Sequence, residues 1–326
     1  MKNVCIVGYG AIGPIHAKAL ETVTGAQLYA VCDIDPKRRS LCREQYGDGV
    51  KEYEDFDTML EDDSVDSIHI CTPHYLHYEM AKKALAAGKS VVLEKPVTRT
   101  RQEWDALMNL EGADRICVVL QNRLNPCVQS LREIIQNGSL GSVKAARAVL
   151  TWNRDKAYYE SADWRGRWDT EGGGLLINQA IHTLDFFSFL LGGIRKVRTT
   201  MCNHTLEGVI EVEDTLAAHL ELAGGVKGVF FATNGYSENS SPFFEISFEK
   251  GCARYIDQKL WVNDRLCAED TSPTAGKAYW GSGHALLLKK FYEEGEYFSP
   301  ADAKNTMETV FAMYEDAFWP STSLHM

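Results

Sequence analysis

The 326-residue sequence has no run of eighteen apolar residues, so it offers no membrane-spanning helix. It also lacks a basic surplus. With 34 Lys and Arg against 45 Asp and Glu, the net charge is -11, and phosphate backbones need a basic face, so nucleic acid is not an expected partner. No CxxC pair occurs. The nine cysteines, at 5, 32, 42, 71, 117, 127, 202, 252 and 267, are odd in number and scattered, which argues against a disulfide framework or a thiolate zinc site. Cys5, Cys32, Cys71 and Cys117 sit inside apolar strand-like runs and read as small core residues. The opening MKNVCIVGYG enters a strand pattern at once, leaving no room for a signal peptide, and a reducing cytoplasm is the expected location. Repeats and low-complexity tracts are missing too. What remains, 45% hydrophobic and 24% charged, is the composition of a soluble globular chain long enough for two domains.

The rhythm of the sequence changes near residue 120. Before it, short apolar runs, VCIVG, LYAVCD, SIHICT, SVVLE and ICVVL, alternate with helical patterns such as HYEMAKKALAAGK, which Gly88 stops. Strands that are apolar throughout and separated by helices imply a doubly wound parallel sheet covered on both faces. After it, a helix over 126–137 leads into alternating segments: VKAARAVLTWN, KVRTTMCNH, TLAAHLEL, VKGVFFATN, FFEISFE and CARYID. These predict one large, mostly antiparallel open sheet interrupted by a helix over 174–191 and closed by helices from about Gly283 and Pro300. The expected division is a dinucleotide-binding α/β domain over 1–121 and a substrate and oligomerisation α/β domain over 122–326.

The segment GYGAIG, residues 8–13, fits GxGxxG between a strand and a helix, and the next strand ends on Asp33, twenty residues after Gly13. Gly8 permits the turn, Gly10 lets the backbone approach a pyrophosphate, and Gly13 lets helix and strand pack closely. Gly8, Tyr9, Gly10, Ala11, Ile12 and Gly13 are therefore the expected cofactor loop. Asp33 would bind ribose hydroxyls and repel a 2′-phosphate, which favours NAD over NADP, although Lys37, Arg38 and Arg39 just downstream could hold a phosphate. Thr72, Pro73 and His77 end the third run, and Glu94 and Lys95 the fourth, on the side where open parallel sheets bind ligands. Lys95, followed by Pro96 and therefore extended, is a candidate to polarise a hydroxyl. His74 and His77 form a pair with no third ligand in evidence, so no metal is expected.

In EGGGLLINQAIHTLD, residues 171–185, three glycines run into an apolar helix. Asn178, His182 and Asp185 stand at i, i+4 and i+7, a single polar stripe behind an entry that allows another backbone to approach. His182 and Lys95 are expected to handle the proton of one hydroxyl beside a hydride acceptor.

GYGAIGPIH, TPHYLH, AGKSVVLEKPV, QNRLNP, DWRGRW and GGGLLINQAIHTLD, in this order and spacing, resemble the glucose-fructose oxidoreductase, inositol dehydrogenase and MocA (GFO/IDH/MocA) family of NAD(P)-dependent oxidoreductases. The resemblance covers nearly the whole chain. It implies an N-terminal Rossmann domain, a C-terminal α/β domain whose open sheet joins two or four copies, and hydride transfer at a carbohydrate-type hydroxyl. Lys95 matches the family's EKP lysine and His182 its helix histidine. Asn178 stands where inositol-dehydrogenase-like members carry aspartate. An amide orients a hydroxyl but takes no proton, so His182 or Lys95 must do so. The NQxIHxxD form resembles members that oxidise the 3-hydroxyl of nucleotide sugars or glycosides. Trp164 and Arg165 match a pair near the cofactor in some relatives, and Arg123 and Tyr158 are candidate substrate contacts. Three alternatives stay open: a glycosidase that oxidises C3 transiently and eliminates the aglycone, an inositol or polyol dehydrogenase, and a non-catalytic NAD-binding regulator.

Overall fold

The computed structural model describes residues 1–272 and 281–317. The chain forms two compact units, Met1–Leu124 with Ser272–Ala303, and Asn125–Thr271 with Lys304–Met326. The division expected at 121/122 therefore falls three residues later. The expected continuity of the second domain is also corrected, because the Gly283 segment belongs to the first unit. The cause is apolar: Leu287 and Leu288 are buried in one core with Ile6, Ala17 and Val92.

The first unit holds six strands, β1 (Lys2–Val7), β2 (Ala26–Cys32), β3 (Lys51–Tyr53), β4 (Ser67–Ile70), β5 (Ser90–Leu93) and β6 (Ile116–Val118). Their order is β3-β2-β1-β4-β5-β6, and every pair is parallel. This is the doubly wound arrangement, with its crevice at the carboxyl ends of β1 and β4. The five apolar runs read from sequence are all strands. β3 was not read, because KEY is three polar-edged residues at the sheet margin with no apolar run to reveal it. Helix His77–Ala86 buries Ala81, Ala84 and Leu85, and Gly88, at φ +74°, ends the turn behind it.

In the second unit, eight strands follow: β7 (Val143–Thr151), β8 (Ile194–Cys202), β9 (Thr215–Leu222), β10 (Lys227–Thr233), β11 (Phe243–Phe248), β12 (Gly251–Ile256), β13 (Lys259–Val262) and β14 (Arg265–Glu269). They form one sheet ordered β14-β13-β12-β11-β7-β10-β9-β8. Only the β7–β10 pair is parallel. The expected mostly antiparallel sheet is thus present, extended by the short hairpin β13–β14. Helix Ile181–Leu191 lies on one face, where Phe187 packs 5.0 Å from Phe244 and 6.3 Å from Phe230, and Phe186 lies 5.7 Å from Tyr255. On the other face Val229 and Phe231 remain 46% and 40% exposed. Among the described residues no helix is long and apolar enough to cross a membrane.

Candidate active site

The glycines of the first loop divide by role. A side chain at Gly8, which has φ +89°, would place its Cβ 2.7 Å from the carbonyl oxygen of Cys71, and one at Gly13 would stand 2.4 Å from that of Gly8. Both positions are therefore closed by the fold itself. Gly10 differs: its Cβ would meet only Arg38 Nη1, at 3.7 Å, so the fold leaves room there that a dinucleotide's phosphates fit. Helix Gly13–Leu20 begins at Ile12 with no side-chain cap, leaving its first N–H groups to an anion.

Asp33 is 6% exposed and its carboxylate is held in place by backbone, accepting from Tyr9 N at 2.7 Å and Asp35 N at 2.9 Å. The basic run beside it is drawn to acids. Arg38 Nη1 lies 3.6 Å from Asp33, and Arg39 donates to the Asp33 carbonyl oxygen and pairs with Glu52. Tyr9, expected in the cofactor loop, is 1% exposed; its hydroxyl donates to Gln45 and its N–H to Asp33. Its part is to fix Asp33.

At the ends of β4 and β5 the structure corrects two expectations. His77 is fully buried, with Nδ1 2.7 Å from the Pro96 carbonyl oxygen and Nε2 2.9 Å from that of Thr72. It ties the two strand ends together instead of lining a crevice, and burial holds its pKa below the usual value. Glu94 turns inward as well. At 6% exposure, its Oε1 lies 3.0 Å from His16 Nε2 and 3.9 Å from His284 Nε2, and its Oε2 accepts from Lys95 N at 3.2 Å. Burial pushes the Glu94 carboxyl up, but its hydrogen bond with His16 and the nearby His284 ring outweigh that and hold it well below the carboxylate range. Beyond His16, His69 Nδ1 follows at 3.0 Å, with Tyr292 Oη 2.8 Å from its other nitrogen. No metal was expected for want of a cluster, yet His16, Glu94 and His284 bring ligand atoms within 4.8 Å of one another. His16 and Glu94 stand at the 3.0 Å of a hydrogen bond, while His284 is 3.9 Å from the same oxygen. Half-buried Lys95 follows Glu94; burial lowers the pKa of both His77 and His284, and the Lys95 charge adds to it. Thr72 and Pro73, also half-buried, occupy the loop after β4.

The second unit places the glycine-rich entry against Glu213. A Cβ on Gly174 would lie 2.1 Å from the Glu213 carbonyl oxygen, and one on Gly173 2.0 Å from Tyr314 Oη, so the expected close approach of another backbone is present. The Glu213 carboxylate, fully buried, accepts from Gly174 N at 3.0 Å, Leu176 N at 2.8 Å and Tyr314 Oη at 2.9 Å, and so caps the helix start. The expected single helix begins with a wider π turn, Leu176–Ala180, before α-helix Ile181–Leu191. From Gly173 to Phe187, Asn178 and His182 alone escape full burial. Asp185, which the sequence leaves between helix support and chemistry, is 2% exposed and accepts from Thr306 Oγ1 at 2.5 Å.

Glu171 is the residue that sequence reasoning missed. It has no exposed surface, accepts from Asn178 Nδ2 at 2.6 Å and from Gly166 N at 2.5 Å, and burial pushes its pKa up to about 7. Nothing in EGGG distinguishes a buried glutamate from a solvated one. Asn178 continues to Gln179, whose Nε2 donates to Tyr158 Oη at 3.0 Å and whose Oε1 accepts from Asn234. Tyr158 is half-buried, and Arg165 lies over its ring with Trp164 alongside. Arg123 is corrected: it is 4% exposed, stacked 5.1 Å over Phe298, and donates to the Asp302 carbonyl oxygen, so it is internal to the first unit.

A family model described as oxidoreductase family, NAD-binding Rossmann fold, matches residues 2–122, and one for the GFO/IDH/MocA C-terminal domain matches 128–254. The chain is 24% identical to the levoglucosan dehydrogenase of Pseudarthrobacter phenanthrenivorans, over 97% of this chain and 88% of that one. It is 25% identical to the inositol 2-dehydrogenase of Rhizobium meliloti, over 86% and 79%. Among solved structures, the WlbA dehydrogenase from Bordetella pertussis, in complex with NADH and UDP-GlcNAcA, superposes with a TM-score of 0.84 at 25% identity, covering 97% of this chain and 95% of that one.

Proposed function

Because the chain belongs to the GFO/IDH/MocA family of NAD-dependent oxidoreductases, we propose that its reaction is reversible oxidation of the 3-hydroxyl of a nucleotide sugar or glycoside. NAD, when bound, supplies the hydride acceptor; Gly10, the uncapped helix start and Asp33 are the groups that would hold it. His182 removes the hydroxyl proton, Lys95 stabilises the developing alkoxide, and Asn178 orients the hydroxyl. The observation that carries this reading is that Asn178 and His182 alone reach past full burial along an otherwise sealed stretch. An amide beside an imidazole divides the work into orientation and proton transfer. Support for a nucleotide sugar comes from the WlbA complex. Sugar- and polyol-oxidising relatives fit the broader class.

Copies of the chain are proposed to associate through the open sheet face, where Ala145, Arg147, His219, Val229 and Ser247 line a depression of about 350 Å³. The decisive experiment is a screen of nucleotide sugars, glycosides, free sugars and cyclitols with NAD and NADP, following reduced-cofactor absorbance. Product analysis should place the new carbonyl at C3. Activity confined to free cyclitols would sink the proposal. Release of an aglycone without net NADH would instead establish the redox-assisted glycosidase.

A further inference from the structure

We propose that Arg154 and Arg165, gathered around the ring of Tyr158, form a subsite for an anionic substituent, carboxylate or phosphate, on the sugar substrate. The inference rests on the oxidoreductase reading above and narrows its substrate class.

The guanidinium carbon of Arg154 lies 5.1 Å from the Tyr158 ring centroid, and that of Arg165 4.2 Å. Trp152 and Trp164 flank them at 4.8 and 4.9 Å. Aromatic faces hold both cations in place but do not neutralise them. Arg154 is only 9% exposed, and a charge so buried is costly without a compensating partner. Its Nη1 donates to the Asn153 carbonyl oxygen and to Asn239 Oδ1, each at 2.6 Å, and both acceptors are neutral. The Nε atoms of Arg154 and Arg165 are each buried without a hydrogen-bond partner.

Among the described residues neither arginine has a carboxylate within 4.0 Å, although the chain carries eleven more acids than bases and Arg38, Arg39, Arg43, Arg147 and Arg254 all find one. Glu171 is no substitute. It feels the charge of Arg165, yet its own pKa of about 7 leaves it partly protonated at neutral pH. Planar forked donors suit carboxylate and phosphate oxygens, and two together select an anion over a hydroxyl. Tyr158 also joins this pair to the reactive stripe, since its hydroxyl accepts from Gln179, the neighbour of Asn178. The diphosphate of the cofactor carries the same anionic chemistry, and the test separates the two sources.

Wild type, R154Q and R165Q, each saturated with NADH, are titrated calorimetrically with matched pairs differing by one anionic group: glucuronate against glucose, UDP-glucuronate against UDP-glucose, and glucose 6-phosphate against glucose. NADH affinity is measured separately. In wild type the member with the added anionic group should, in at least one pair, bind about tenfold tighter or better, and each substitution should erase that advantage, by about 10- to 100-fold, while the member without it keeps its affinity. No preference in any pair, or equal losses for both members, overturns the subsite. A loss confined to NADH assigns the arginines to the cofactor and overturns it too. Should R154Q not fold, half-buried Arg165 carries the test through R165Q. Binding is read without turnover, so a chain that prefers uronates yet oxidises no sugar refutes the oxidoreductase reading alone. One that oxidises neutral sugars without preference refutes the subsite alone.

Discussion

Asn178 Nδ2 lies 2.6 Å from Oε1 of Glu171, a carboxyl group with no exposed surface. The contact sets the amide's orientation, nitrogen toward the glutamate and oxygen away from it, and so makes Asn178 an acceptor toward a bound hydroxyl. Glu171→Ala should therefore lower kcat by about tenfold and leave NADH affinity unchanged, while Glu171→Gln, which keeps one acceptor oxygen, should recover most of the loss. Steady-state kinetics and NADH titration check this, and equal kcat in wild type and Glu171→Ala would remove the orienting role.

His182→Ala and Lys95→Ala should each reduce turnover by roughly 10²- to 10⁴-fold, the range of general acid-base assistance, with cofactor binding largely preserved. Single-turnover rates against any accepted substrate, beside NADH dissociation constants, distinguish loss of chemistry from loss of binding. Unimpaired turnover in either variant would strip that residue of its assigned role.

Two glycines three positions apart should fail in different ways. Gly10→Ala meets nothing closer than 3.7 Å and should fold with wild-type stability while losing NAD affinity. Gly13→Ala drives a methyl to 2.4 Å from a backbone oxygen and should lower the melting temperature by several degrees. Calorimetry with and without NADH reads both. Similar melting temperatures for the two variants would contradict the division of roles.

The two units should respond to pH in opposite senses. In the first, Glu94, His69, His77 and His284 all have pKa values held below their usual ones, so the stability they contribute is present above the unfolded values and lost as pH falls. In the second, burial raises Glu171 and Glu213 to about 7, so their contribution is full below about 4.5 and lost as pH rises through about 7. Hydrogen-exchange protection factors at pH 5.5 and pH 8 should fall in acid for the first unit and in base for the second. The second-unit trend should flatten in Glu171→Gln. Parallel trends in both units would contradict these assignments.

The strand-helix alternation of the first unit was legible because its central strands are apolar throughout, and six of the eight strands in the second because they alternate. The hairpin β13–β14 escaped notice although Asn263 and Asp264, at φ +48° and +61°, form the kind of two-residue turn that their residue types favour. The cofactor loop and the pair Asn178 and His182 were visible as local motifs. Glu171, Glu213 and the His16–Glu94–His284 chain were not, since their meaning lies in burial and in partners as far as 190 positions away. Arg123 misled for the converse reason: a polar letter inside a motif says nothing about whether its side chain faces outward.

His284 and Tyr292 complete the interior of a unit whose first segment ends at Leu124. During synthesis, then, the opening half of the molecule leaves the ribosome with Glu94 facing one histidine of its two and His69 missing its tyrosine. At ordinary elongation rates that state persists for about 10 to 30 s while the intervening residues are made. The Rossmann unit is finished late, by residues translated after most of the second unit has been made. A fragment cut at Leu124 would inherit the same unfinished interior permanently, and a faithful truncation has to follow the closure of the core instead of the order of the residues.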